Sequence, residues 1–86
     1  MAQYRLEVKK KAIKELEKVR PDIGLRLLAS IEHLSSNPRS RKSHKLSGSI
    51  SSYRLRVGNY RVIYQIDDNA KLITIYQVGH RREVYR

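Results

Sequence analysis

Tyr53-Arg54-Leu55-Arg56-Val57-Gly58-Asn59-Tyr60-Arg61-Val62-Ile63-Tyr64 is the stretch on which the fold turns. Apolar and polar residues alternate on either side of Gly58-Asn59, the period of a half-buried strand. Gly-Asn between two such runs reads as a two-residue hairpin loop of the primed type. With that loop, Val57 pairs with Tyr60, Arg56 with Arg61 and Leu55 with Val62. Side chains alternate across a sheet. Tyr53, Leu55, Val57, Tyr60, Val62 and Tyr64 therefore share one face, and Arg54, Arg56 and Arg61 share the other. Like charges directly opposite one another destabilise a strand pair. A bound phosphate would supply the reason for such a focus, because planar guanidinium forks match phosphate oxygens. Arginines that merely splay into water are the plain alternative, common for one side chain and weaker for three together.

Outward from the hairpin, Leu72 to Val78 is nearly continuously apolar, which predicts a central strand after a turn at Asp67-Asp68-Asn69. Upstream, Tyr4 to Val8 alternates as a strand. Ala12, Ile13, Leu16 and Val19 then mark one helical face, and Ile23, Leu27, Leu28, Ile31 and Leu34 another. Pro21 suits the first turn of that second helix and Asp22 its positive end. Asn37-Pro38 ends it. Ser35 to Ser52 reads as a serine-rich basic loop carrying Arg39, Arg41, Lys42, His44 and Lys45, with Leu46 as its anchor. The predicted order is β-α-α-β-β-β, an α+β fold in which a two-helix hairpin packs on one face of an antiparallel sheet. The other face is left open for a ligand.

The chain has 86 residues, room for a single domain over 1–86 with one small core. Lys and Arg number 19 against 8 Asp and Glu, a formal charge of +11. Such a density favours a polyanionic partner, nucleic acid before an anionic membrane or an acidic protein. There is no cysteine, hence no disulfide framework or thiolate metal site. Carboxylates are few and scattered, so neither a metal nor another cofactor is expected. The N-terminal residues lack the apolar run of a signal peptide or membrane span, which leads us to expect a cytoplasmic protein with no membrane association. In the tail, Arg81 and Arg82 follow the last strand, and Tyr85 supplies a ring. Arginine beside an exposed aromatic suits single-stranded RNA, although a ring at a chain end also packs readily on a core. Lys42, Lys45 and Arg82 are further candidates for binding the RNA backbone.

These residues resemble the RelE/ParE toxin superfamily. The likeness follows the order of elements along almost the whole chain. It is strongest in Lys45-Leu46-Ser47-Gly48, in Tyr53 to Tyr64, and in Val78-Gly79-His80-Arg81-Arg82-Glu83-Val84-Tyr85. The resemblance implies a toxin of a type II toxin–antitoxin system, of the RelE type that enters the ribosomal A site and cleaves messenger RNA. It implies that Arg54, Arg56, Arg61, Arg81 and Tyr85 are the catalytic residues. It also implies a RelB-like antitoxin that covers the arginine face, and operator DNA bound by the toxin–antitoxin complex. The best-known RelE toxin has lysines at the first two positions. The arginines here stay protonated and make poor general bases.

The expected reaction is attack of a ribose 2′-OH on the adjacent phosphate, leaving a 2′,3′-cyclic phosphate and a 5′-OH. Arg61 with Arg54 or Arg56 would stabilise the phosphorane, Arg81 would serve the leaving group, and Tyr85 would stack a base and align the 2′-OH. For the general base, Tyr85 ranks first and His80, beside Arg81 in sequence, second. His33 and His44 rank lower. Two other functions use the same sequence: a ParE-like inhibitor of DNA gyrase without nuclease activity, and a non-catalytic RNA- or DNA-binding module. A degenerate toxin is a further possibility.

Overall fold

A computed structural model describes residues 3–48 and 51–80. In chain order the elements are β1 (Arg5–Val8), α1 (Lys10–Lys18), α2 (Pro21–Leu34), β2 (Ser43–Lys45), β3 (Ser52–Val57), β4 (Tyr60–Asp67) and β5 (Leu72–His80). The strands form one sheet in the order β1-β5-β4-β3-β2. The α+β class and the helix-covered sheet are as expected. The sheet, however, is mixed rather than wholly antiparallel, because β1 runs parallel to β5. Those two strands lie at opposite ends of the chain, so no hairpin constrains their direction. The fifth strand, β2, falls in the stretch read as a loop. At three residues it is too short and too polar to show a period.

The helical stripes explain the packing. Pro21 stands at the start of α2 and Asp22 in its first turn, both suited to a helix N-terminus. Leu27, Ile31 and Leu34 are buried along one face, whereas Leu28 is exposed. On α1, Ala12 is fully buried and Leu16 packs beside it, while Ile13 turns outward. Each apolar stripe is thus narrower than the sequence suggested. The helices meet the inward residues of the sheet: Leu55 and Val57 from β3, Val62, Tyr64 and Ile66 from β4, and Ile73, Ile75 and Val78 from β5. As expected, β5 is interior, flanked by β1 and β4. Among the described residues, no helix is long and apolar enough to cross a membrane.

Two irregularities position the open face. The pairing of β4 with β5 slips between Ile63 and Tyr64: Ile63 pairs with Gln77, but Tyr64 pairs with Ile75. The extra residue is Tyr76, and such a bulge resets the alternation of the bulged strand. Also, β1 ends at Val8 opposite Ile75, leaving the last part of β5 without a strand neighbour on that side. There Glu15 of α1 accepts the Val78 N–H at 2.7 Å.

A polar clamp closes the far end of the sheet. Arg39 pairs with Asp68 at 2.9 Å and donates to the Tyr53 hydroxyl at 3.0 Å. Tyr4 donates to Asp68 at 2.6 Å. The buried Tyr64 hydroxyl donates to the Pro38 carbonyl at 2.6 Å and lies 2.7 Å from Ser43 Oγ. Together these contacts hold the 35–42 connection and β2 against β3 and β4.

Candidate functional site

The hairpin has the register the sequence predicts. Val57 pairs with Tyr60, Arg56 with Arg61, Leu55 with Val62 and Tyr53 with Tyr64. Gly58 has φ +59, while Asn59 stays out of the left-handed region. A left-handed first loop residue followed by an ordinary second one is the II′ pattern, and glycine adopts it without strain.

Arg54, Arg56 and Arg61 therefore share the face away from the helices. They differ in exposure. Arg56 is exposed, Arg54 is half-buried with its Nε shielded from solvent, and Arg61 is only 5% exposed. Charged side chains are seldom so buried without compensation. One Arg61 nitrogen donates to the Tyr60 carbonyl at 3.1 Å. On its other side Arg61 pairs with Gly79, which has no side chain to compete for space. The result is a largely buried guanidinium on the sheet face that Arg54 and Arg56 share, with the planar donors that suit a phosphate.

The basic residues of the 35–48 region divide between faces. His44 pairs with Arg54 across β2 and β3, which puts it on the arginine face. Lys45 pairs with Tyr53 and so takes the helix-side register. Lys42 lies just before β2, its carbonyl accepting the Arg56 N–H at 3.1 Å, and it shares with Arg41, Arg56 and His33 an open groove at the β3 edge of about 320 Å³.

The bulge decides where His80 goes. Strict alternation from Thr74 would put Val78 and His80 on the arginine face. After the bulge, Val78 is buried against the core and His80 pairs with Tyr60. The His80 ring meets the Tyr60 ring edge-on at 5.6 Å. His80 thus faces the helix side, whereas His44, ranked below it from sequence, stands opposite Arg54. The signal for His44 was present only as a short strand that polar composition concealed. Arg81, Arg82 and Tyr85 lie outside the described residues.

Comparison with known proteins agrees with this architecture. Residues 6–85 match the family described as the ParE toxin of the type II toxin-antitoxin system parDE. The chain is 31% identical over 83 residues to toxin RelG of Mycobacterium tuberculosis, covering 87% of each chain. It superposes with a TM-score of 0.83 on a chain of the toxin–antitoxin complex RelBE2 from the same organism, at 29% identity and 94% coverage of each chain. A chain of the archaeal RelE–RelB complex from Pyrococcus horikoshii gives a TM-score of 0.82 at 31% identity, covering 94% of this chain and 97% of that one. The sequence motifs, the mixed sheet with its two helices, and these matches together show that the chain belongs to the RelE/ParE toxin superfamily of type II toxin–antitoxin systems.

Proposed function

We infer that the protein is a ribosome-dependent endoribonuclease that cleaves messenger RNA in the A site and so inhibits translation. The observation that carries this reading is Arg61, 5% exposed and directly opposite Arg56 in the hairpin, with Arg54 on the same face. In the reaction, the ribose 2′-oxygen forms a bond to the adjacent phosphorus and the bond to the 5′-oxygen breaks. The products carry a 2′,3′-cyclic phosphate and a 5′-OH. Arg61, with Arg54 and Arg56, stabilises the charge of the phosphorane. His44 removes the 2′-OH proton, the task to which arginine is unsuited and histidine well suited. Arg81 steadies the leaving 5′-oxygen, which takes a proton from water to become the 5′-OH. The proton removed from the 2′-OH passes from His44 to solvent, and Tyr85 stacks a base to align the attack. The scheme needs no metal or other cofactor, and the ribosome supplies much of the orientation.

The whole chain acts as one catalytic domain in the cytoplasm. Its partners are the ribosome with its messenger and a RelB-like antitoxin, whose binding would cover the arginines. The solved complexes of RelE with RelB support that partner. Operator DNA is bound by the pair together.

The family description favours one other reading, a ParE-like gyrase inhibitor. Brief expression of the toxin in growing cells separates the two. Mapping of messenger 5′ ends should show new cuts within translated frames. Growth arrest with intact messengers and induced DNA damage would overturn the nuclease reading in favour of gyrase.

A further inference from the structure

The open sheet face carries an aromatic ring that the cleavage scheme leaves unused. Tyr76, the extra residue of the β5 bulge, is 37% exposed, while Ile75 before it is fully buried. Its hydroxyl donates to Gln65 Oε1 at 3.1 Å. The Gln65 amide nitrogen donates in turn to Ser52 Oγ at 3.3 Å. The ring is thus tethered through β4 to β3. The Lys9 ammonium stands 5.7 Å from its centroid. An open groove of about 600 Å³ runs beside the ring, lined by Gln65, Asp67, Asp68, Asn69 and Thr74 among others.

These features suit a nucleobase and not a phosphate. The charged groups lining the groove are the carboxylates Asp67 and Asp68. Asp68 is paired with Arg39, so Asp67 is the one that repels a phosphate and offers an acceptor for an exocyclic amino group. Both are fixed: Asp67 accepts the Ala70 N–H at 3.0 Å, and Asp68 is held by Arg39 and Tyr4. An exposed tyrosine gives a base a flat apolar surface whatever its identity. Lys9 supplies positive charge for the backbone beside it. Gln65 lies four residues beyond Arg61 on the same strand and face, roughly 13 Å at about 3.3 Å per residue. One extended RNA strand can therefore place a phosphate at the arginines and a neighbouring base at Tyr76.

We propose that Tyr76, tethered by Gln65 and flanked by Lys9, is a second RNA subsite that stacks an unpaired base of a nucleotide close to the cleaved step. The proposal rests on the reading of the arginine face as an RNA site. Single-turnover cleavage on programmed ribosomes tests it, using wild-type protein, Tyr76→Ala and Tyr76→Phe. Each is titrated on an intact messenger and on messengers with a single abasic nucleotide at successive positions flanking the cut. Tyr76→Ala should raise the half-saturating toxin concentration about tenfold without changing the limiting rate, and Tyr76→Phe should stay near wild type. At one abasic position the wild-type protein should suffer the same loss, and Tyr76→Ala no further loss. An alanine penalty of equal size on every messenger would overturn the proposal. So would wild-type protein that is indifferent to all the abasic positions, a comparison that holds even if the alanine variant fails to fold. Wild-type protein that neither binds nor cuts the messenger would remove the RNA reading itself, and the subsite with it.

Discussion

In the proposed mechanism Arg61 carries most of the charge stabilisation. It is buried, and its neighbour across the hairpin is another arginine. Removing one preorganised group that stabilises transition-state charge costs about a hundredfold to a thousandfold in turnover. Arg61→Ala should therefore lower the cleavage rate by at least about a hundredfold while its circular dichroism spectrum remains native; a variant of near wild-type rate would remove Arg61 from the mechanism. His44 makes a separate prediction. If it takes the 2′-OH proton, His44→Gln should lower the single-turnover cleavage rate about a hundredfold or more while leaving the half-saturating toxin concentration near wild type. A rate near wild type would return the role of base to Tyr85. The arginine face was legible in the sequence because a two-residue loop fixes register, and register fixes the face of every side chain. The histidines were not, since the bulge at Tyr76 reverses the phase of His80 and a strand of three residues hides that of His44.

The elements hold these residues through a few local contacts. Gly58 takes a left-handed conformation at the hairpin turn, which costs other residues about 1–2 kcal/mol. Gly58→Val should lose about that much stability in urea denaturation. At the edge of β5, the Glu15 carboxylate accepts the Val78 N–H, three residues before Arg81. Glu15→Ala should speed hydrogen exchange at the Val78 amide and slow cleavage, with the hairpin amides unchanged; equal exchange in both proteins would show that Glu15 does not hold the strand. The clamp at the far end predicts a pH dependence of stability. Hydrogen bonds from Arg39 and Tyr4 hold the Asp68 carboxyl below its usual range. A carboxylate whose folded pKa is depressed contributes stability above its unfolded pKa, near 3.9, and loses it as pH falls through the folded value. The melting temperature of Asp68→Asn should lie below wild type at neutral pH, and the gap should narrow in acid below about pH 4. The helices and the central place of β5 could be read from apolar periodicity. The parallel pairing of β1, the clamp and Glu15 could not, because each joins residues far apart in sequence through groups that carry no periodic signal.

At the scale of the whole molecule, the proposed function sets a formal charge of +11 on 86 residues against a polyanionic target, the ribosome with its messenger. Affinity for programmed ribosomes should fall steeply with added salt as counterions are released. Arg56, the exposed member of the arginine face, should contribute to that slope, and Arg56→Ala should flatten it by about one unit in a plot of log affinity against log salt. The excess of positive charge was legible in composition alone. The choice between nuclease and gyrase inhibitor was not, because both belong to one superfamily and one fold, and a fold does not fix a function. Primer extension on a defined messenger, with purified toxin added in the presence and absence of ribosomes, tests that choice most directly. Cuts at the A-site codon only when ribosomes are present, and absent with the Arg61→Ala, Arg81→Ala double variant, are the predicted result. An uncut messenger under both conditions would contradict it.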